Sequence, residues 1–201
     1  MIAHITRYVI DMVLADLPEM LKARPGFHVS LNLSPQDLVA DGPVQYLQRR
    51  FSAMEFPAGA LMLEVTERGL VDIEAARPAL QAARQIGASI ALDDFGTGYS
   101  SLSMLESIDI DTLKIDRIFI ASIGAQAAIS PVTTHIIEMA HTLQLALIAE
   151  GVETQDQVDF LIARGVRQAQ GWKFARAMPL GDLLAGLRAS GRATPADAAG
   201  M

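Results

Sequence analysis

The chain has 201 residues, is 51% hydrophobic and carries a formal net charge of −7, enough apolar material for one sizeable core. That acidic balance argues against a nucleic-acid partner, which would need clustered Lys and Arg. With no cysteine, disulfides, thiolate metal sites and a Cys nucleophile are excluded, and a reducing, cytoplasmic setting is the expectation.

The first stretch is apolar, but Arg7, Asp11 and Asp16 interrupt it. It therefore reads neither as a signal peptide nor as a membrane span, which needs roughly 18 apolar residues. Ile2, Ile5, Val9, Met12, Val13 and Leu17 recur at helical spacing and predict an amphipathic helix burying that stripe, ended or kinked at Pro18. Short β-rich runs then alternate with helical stretches. The predicted strands are His28–Leu33, Leu61–Thr66, Ala88–Leu92, Thr112–Ile115, Leu145–Ala149 and a weak one at Gln168–Gln170. The predicted helices are Gln36–Arg50, Ile73–Ile86, Ile120–Gln144, Gln155–Arg164 and Leu180–Leu187. One domain is expected over 1–190, followed by an Ala-, Gly- and Pro-rich tail at 191–201 that reads as disordered.

Repeated strand-then-helix units imply an α/β fold with a parallel sheet, either open or closed into a barrel. Asn32, Glu64, Asp93 with Asp94, Lys114, Glu150 and Gln170 each stand at the C-terminal end of a different predicted strand. Polar groups at one end of every strand fit a barrel, whose C-terminal face carries the site; an open sheet concentrates them at one switch point. Six strands fall short of the eight a closed barrel uses, within its typical span of about 250 residues. Since the sequence starts on a helix, the missing strands are expected to precede it.

An Asn and several carboxylates on separate strands make an oxygen-only ligand set, which suits Mg²⁺ or Mn²⁺ better than zinc. His4, His28, His135 and His141 are scattered and read as surface or packing residues. Neighbouring strand residues point to opposite faces, so Asp93 and Asp94 can share a site only where the strand ends and turns. Phe95, Gly96, Thr97 and Gly98 supply that turn. Two carboxylates there could bind two metals and support in-line attack of water on a phosphodiester. Lys114 could orient that water or neutralise charge building on phosphate oxygens. Taken singly, Asp93-Asp94 is more often a turn or helix cap, and Glu67 could be a simple helix-start carboxylate.

The run Asp93-Asp94-Phe95-Gly96-Thr97-Gly98-Tyr99-Ser100-Ser101-Leu102 resembles the signature loop of EAL domains, bacterial cyclic di-GMP phosphodiesterases. Asn32-Leu33-Ser34, Glu64-Val65-Thr66-Glu67, Leu113-Lys114-Ile115-Asp116, Ala149-Glu150-Gly151-Val152-Glu153 and Gln170-Gly171 follow the family in order and spacing. The resemblance implies a TIM-like (β/α) barrel, incomplete at the N-terminus, that hydrolyses cyclic di-GMP to linear pGpG with Mg²⁺ or Mn²⁺ in a two-metal site. It assigns Asn32, Glu64, Asp93 and Asp94 as metal ligands and Lys114 as the residue positioning the hydrolytic water. Glu150 is assigned to the metal centre as a candidate general base. Gln170, Asp116 and Glu153 become substrate-binding or supporting residues, and Glu67 the anchor of the Asp-Asp-Phe-Gly loop. It further implies a homodimer through the segment from Asp94 to Ser101.

Three departures stand out. Trp172 replaces the family's usual Tyr or Phe, and Ala177 a usual proline. The opening strands, with the Glu-Ala-Leu glutamate that is itself a metal ligand and a nearby substrate-binding arginine, have no counterpart. An alternative expectation is therefore a catalytically degenerate module that binds cyclic di-GMP or a protein partner.

Overall fold

The computed structural model describes residues 2–38, 42–70, 72–96, 105, 108–124 and 131–190. The strand-and-helix rhythm becomes α1 (Ile2–Ala23), β1 (Val29–Leu33), α2 (Pro43–Phe51), β2 (Leu61–Thr66), α3 (Ile73–Gln85), β3 (Ser89–Phe95) and β4 (Thr112–Ile115). It continues with α4 (Arg117–Ala121), α5 (Pro131–Thr142), β5 (Ala146–Ala149), α6 (Gln155–Ala163), β6 (Gln168–Ala169) and α7 (Leu180–Ser190). The six strands lie in one sheet in chain order, and every neighbouring pair is parallel. An order that never reverses has no switch point, so the sheet curls into an incomplete barrel rather than a doubly wound layer. The expected tail at 191–201 and most of the loop after Gly96 lie outside the described residues.

The period of two along each strand divides the sheet into faces with different jobs. Leu61, Leu63 and Val65 of β2, Ile90 and Leu92 of β3, and Leu113 and Ile115 of β4 point outward into the main core, completely buried. There they meet α2 through Leu47 and α3 through Ala79 and Ala83. Each Leu or Ile so buried stabilises the fold by about 1.5–3 kcal/mol. The alternate residues point inward. Met62, Ala91 and Ile148 form a second, separate buried cluster there, and the polar residues stand one layer above that small apolar floor.

Several sequence expectations are corrected. Of the expected stripe of α1, Leu17 is buried and Val13 packs against the core, but Ile5, Val9 and Met12 are exposed, and Ile10 and Leu14 are buried in their place. Both stripes obey helical spacing, and they differ by about one residue in rotation, which periodicity alone does not resolve. Pro18 lies inside α1, which runs on to Ala23; a helix loses one backbone bond there, while Leu14 and Leu17 before it and Leu21 after it pack on the core. The helix expected over Gln36–Arg50 is a 3-10 turn at Pro35–Leu38 followed by α2, which starts with Pro43 at a favoured first position. The one expected over Ile120–Gln144 is two helices, α4 and α5.

Candidate active site

Four strands bring their ends together around one ammonium group. Lys114 Nζ lies 2.5 Å from Glu64 Oε2, 2.5 Å from Glu150 Oε1 and 3.2 Å from Asp93 Oδ1. The register explains this convergence: Glu64 pairs with Ala91, two residues before Asp93, and Lys114 pairs with Ile148, two before Glu150. All four therefore share the inward face just above the Met62–Ala91–Ile148 floor. Glu64 and Lys114 are 4% and 2% exposed, so their charges act in a poorly solvated setting where each is worth far more than at the surface.

The backbone around the cluster is fixed from both sides. The Glu150 N–H donates to the Ile115 carbonyl at 3.0 Å, and the Gln170 N–H donates to the Ala149 carbonyl at 2.8 Å. The Gln170 side-chain amide donates to Glu150 Oε1 at 2.6 Å, sharing with Lys114 the same carboxylate oxygen. Gly171 follows with φ +156°, and a Cβ there would run into the backbone of Val152. That close approach lets the Val152 N–H reach the Gln170 carbonyl at 3.1 Å and joins the two strand-end loops.

Asp94 reaches the region by a backbone device that the sequence did not reveal. The β3–β4 register shifts between Leu92 and Phe95, and Asp94 itself adopts φ +57°, a left-handed conformation that Asp tolerates better than most residues. Only the glycines of this turn were expected to carry such angles; Gly96 does so too, at φ +88°. The Gly96 N–H donates to Glu67 Oε1 at 2.8 Å, and Glu67 is buried. Asp116 accepts from the Ile118 N–H at 2.7 Å as the cap of α4.

Asn32, paired in register with Glu64, is at the exposed end of the row. Glu153 stays outside the cluster: its side chain is exposed, and its N–H donates to Gln157, whose side chain completes a capping box with Thr154 at the start of α6. Asp37, which sequence reasoning passed over, is 1% exposed and accepts from the Ser34 N–H at 2.9 Å and the Ser34 hydroxyl at 2.7 Å. It also accepts from Thr6 of α1 at 3.2 Å, so it ties the loop after Asn32 to the first helix. The Ser-x-x-Asp spacing at a strand end was the available signal.

Electrostatics follow from this crowding. Burial alone would lower the Lys114 pKa, but hydrogen bonds and attraction from Glu150 and Glu64 outweigh it and raise the value well above the usual lysine range. The Glu150 carboxyl is raised, first by burial, with Asp93 and Glu64 adding repulsion and Lys114 opposing them. Asp94 is raised by burial, by Asp93 and by its hydrogen bond with Asp116.

Glu64, Asp93 and Glu150 set three negative charges against one positive charge, which leaves an excess that a hard divalent cation would neutralise. Oxygen is the only donor atom on offer among these carboxylates. The present arrangement is an ion-paired hub rather than a ready-made cage, since among the described residues no group of three or more His, Cys, Asp or Glu is disposed to hold a metal ion. The donor chemistry fits such a cation.

A sequentially wound parallel α/β barrel carries its active site at the C-terminal strand ends, and that is where this chain gathers its carboxylate–lysine cluster. Residues 1–177 match the EAL domain model, and the chain belongs to the EAL domain family. It is 39% identical over 180 residues to Probable cyclic di-GMP phosphodiesterase PdeB of Escherichia coli K12, which covers 90% of this chain and 34% of the relative. To Cyclic di-GMP phosphodiesterase NbdA of Pseudomonas aeruginosa it is 36% identical over 191 residues, covering 94% of this chain and 24% of that protein. The fold superposes on the EAL enzyme Bd1971 in its cAMP- and cyclic-di-GMP-bound form with a TM-score of 0.86 at 31% identity, over 93% of this chain and 52% of that one. On the MucR phosphodiesterase complexed with c-di-GMP the TM-score is 0.79 at 32% identity, over 90% and 80%. The chain spans about a third of the length of the first curated relatives it matches. Among the described residues, no helix is long and apolar enough to cross a membrane.

Proposed function

We propose that this chain is the catalytic module of a cytoplasmic cyclic di-GMP phosphodiesterase that opens the cyclic dinucleotide to linear pGpG. The observation that carries the reading is Lys114 Nζ of β4 held by Glu64, Asp93 and Glu150 at the ends of β2, β3 and β5. The membership in the EAL family and the cyclic di-GMP phosphodiesterases among its relatives support it.

Asn32, Glu64, Asp93 and Asp94 would hold Mg²⁺ or Mn²⁺, with Glu150 beside them. The bound cations would supply Lewis-acid polarisation of the phosphodiester and a more acidic water. Lys114 offers a fixed, fully protonated donor that orients the incoming water and faces charge growing on the phosphate oxygens. Glu150, whose raised pKa gives it more basicity than an ordinary carboxylate, accepts the proton of that water as its oxygen bonds to phosphorus; the bond from phosphorus to the ribose oxygen breaks, and that oxygen takes a proton from solvent to leave as the hydroxyl. Gln170 fixes the orientation of Glu150 through its 2.6 Å hydrogen bond. Glu67 holds the Asp94 turn through Gly96, and Asp116 lies against Asp94. Glu153 stands further out as a supporting residue at the rim. The family resemblance also carries the reading of a homodimer through Asp94–Ser101, most of which lies outside the described residues.

The test is hydrolysis of cyclic di-GMP by the purified chain with Mg²⁺ or Mn²⁺, followed by chromatography for pGpG. Turnover that Glu64→Ala abolishes supports the reading; a folded sample with no turnover refutes it. One observation favours a second reading, a binding module without catalysis: the carboxylates close on Lys114 rather than around a metal-sized centre. Calorimetric titration with cyclic di-GMP in Ca²⁺ separates the two, because heat without turnover is the outcome this module predicts.

A further inference from the structure

Asn32 has less support from the sheet than the residues of the lysine cluster. In the parallel register of β1 on β2, Val29, Leu31 and Leu33 stand opposite Leu61, Leu63 and Val65, and the Val29 N–H donates to the Ala60 carbonyl at 3.0 Å. Alternate residues of a parallel strand bond to one side, so the backbone N–H and C=O of Ser30 and Asn32 face the other. Among the described residues no strand lies there. Glu64, Asp93 and Lys114, by contrast, stand on strands flanked on both sides.

A buried carboxylate takes the place of the absent neighbour. Asp37 is 1% exposed. Its Oδ2 accepts from the Ser34 N–H at 2.9 Å, from the Ser34 hydroxyl at 2.7 Å and from the Thr6 hydroxyl of α1 at 3.2 Å. The Asp37 N–H returns to the Ser34 carbonyl at 2.9 Å and closes the turn. The end of β1 is therefore pinned, two residues beyond Asn32, to a helix rather than to a neighbouring strand. The Asp37 Oδ1 is buried with no hydrogen-bond partner among the described residues. Burying a carboxylate with one oxygen unmatched is unfavourable, and Ser, Thr or Asn closes a turn of this kind without a charge. The position answers to more than the folding of the turn.

We infer that Asp37 is a positioning residue for the proposed metal ligand Asn32, acting through Ser34 to fix where β1 ends and so where the Asn32 side chain is presented. The inference rests on the Mg²⁺ or Mn²⁺ reading above and adds a residue outside the ligand set. Because Oδ1 receives no bond, an Asn at this position can keep all three bonds on its single oxygen, which separates geometry from charge.

The test is Mn²⁺ binding to the whole chain by calorimetry, with urea midpoints in parallel. Asp37→Ala is expected to weaken Mn²⁺ binding about ten- to a hundredfold, the usual effect of removing an outer partner of a metal ligand, and Asp37→Asn to retain most of the affinity. Thr6→Val leaves the turn closed and is expected to weaken binding about two- to tenfold, the worth of one hydrogen bond. Decisive is the double-mutant cycle with Asn32→Ala: once the ligand is gone, Asp37→Ala lowers Mn²⁺ affinity no further. Where Asp37→Ala does not fold, Thr6→Val carries the same cycle. A full second loss in the Asn32→Ala background, or a lowered urea midpoint with unchanged Mn²⁺ affinity, makes Asp37 a turn-closing residue only and overturns the inference. An Asp37→Asn variant as weak as Asp37→Ala overturns it too, since charge rather than geometry then carries the effect. In each of these cases wild type still binds Mn²⁺ and hydrolyses cyclic di-GMP, so the proposed function stands. Wild type that gives no heat with Mn²⁺ while keeping a native circular dichroism spectrum overturns both readings together.

Discussion

Lys114 is a buried cation that is tolerable only because three carboxylates surround it, and they are tolerable only because it is there. Removing one partner of such a group leaves uncompensated charge in a poorly solvated place, which typically costs about 3–5 kcal/mol. Lys114→Met is therefore expected to lower unfolding stability in urea by about that much in metal-free buffer, and added Mn²⁺ to recover part of the loss. A variant as stable as wild type would mean that water screens the cluster. The pH dependence has a definite sign. A carboxyl whose folded pKa is raised binds more protons folded than unfolded, so its stabilisation is largest in acid and is lost as pH rises through the folded value. Glu150 and Asp94 are both raised, so metal-free stability should decline as pH climbs above the ordinary carboxylate range. Glu150→Gln should flatten that slope, measured as urea midpoints across the acid-to-neutral range. The strand-end residues were legible in the sequence because a period of two leaves polar residues conspicuous after apolar runs. The positive φ of Asp94 was not, because it arises from a register shift against β4 that no local pattern announces.

At the level of elements, the shortest strand carries a demanding contact. β6 has only two residues, and its position depends on Gly171 lying flush against Val152. Gly171→Ala is expected to destabilise the chain by about 1–3 kcal/mol, as overpacking does, and to displace Gln170 from Glu150. Thermal unfolding and the cyclic di-GMP Kd report the two effects separately, and an unchanged Tm would show that the loop simply moves aside. Thr154 caps α6 within a capping box, so Thr154→Ala should cost about 1 kcal/mol. Predicted β2 and β4 agree with their observed limits, since turn residues bound their β-branched and apolar runs on both sides. The face of α1 was not legible for the opposite reason: its apolar residues nearly encircle the helix, and only the neighbouring Leu47 layer and the 3-10 turn decide which ones are covered.

For the molecule as a whole, the decisive feature is that the curl stays open. Among the described residues β1 and β6 each have one sheet neighbour, and unpaired strand edges promote association. The chain is expected to sediment as a concentration-dependent mixture, and Ser30→Lys, on the exposed part of β1, to reduce that association. Sedimentation unaffected by the lysine would place the contact elsewhere. The parallel order of the strands followed from their alternation with helices, and the barrel-like winding from polar residues at every strand end. How far the curl closes depends on contacts between strands distant in sequence, which composition and spacing do not encode.

The strict chain order of the sheet has a kinetic consequence. Each strand finds its partner one unit upstream, so every pairing closes a loop of roughly one strand–helix repeat, and loop-closure entropy stays small at each step. A nascent chain leaving the ribosome can therefore add strands one by one to a growing sheet, while α1 meets α7 only at the end, where Arg188 pairs with Glu19. The carboxylate–lysine hub obeys a different clock. Glu64 and Asp93 emerge before Lys114, and Lys114 before Glu150, so until β4 docks the acidic residues repel one another. The pairs with Glu64 and Asp93 thus form when β4 docks, and the pair with Glu150 only after β5 has followed.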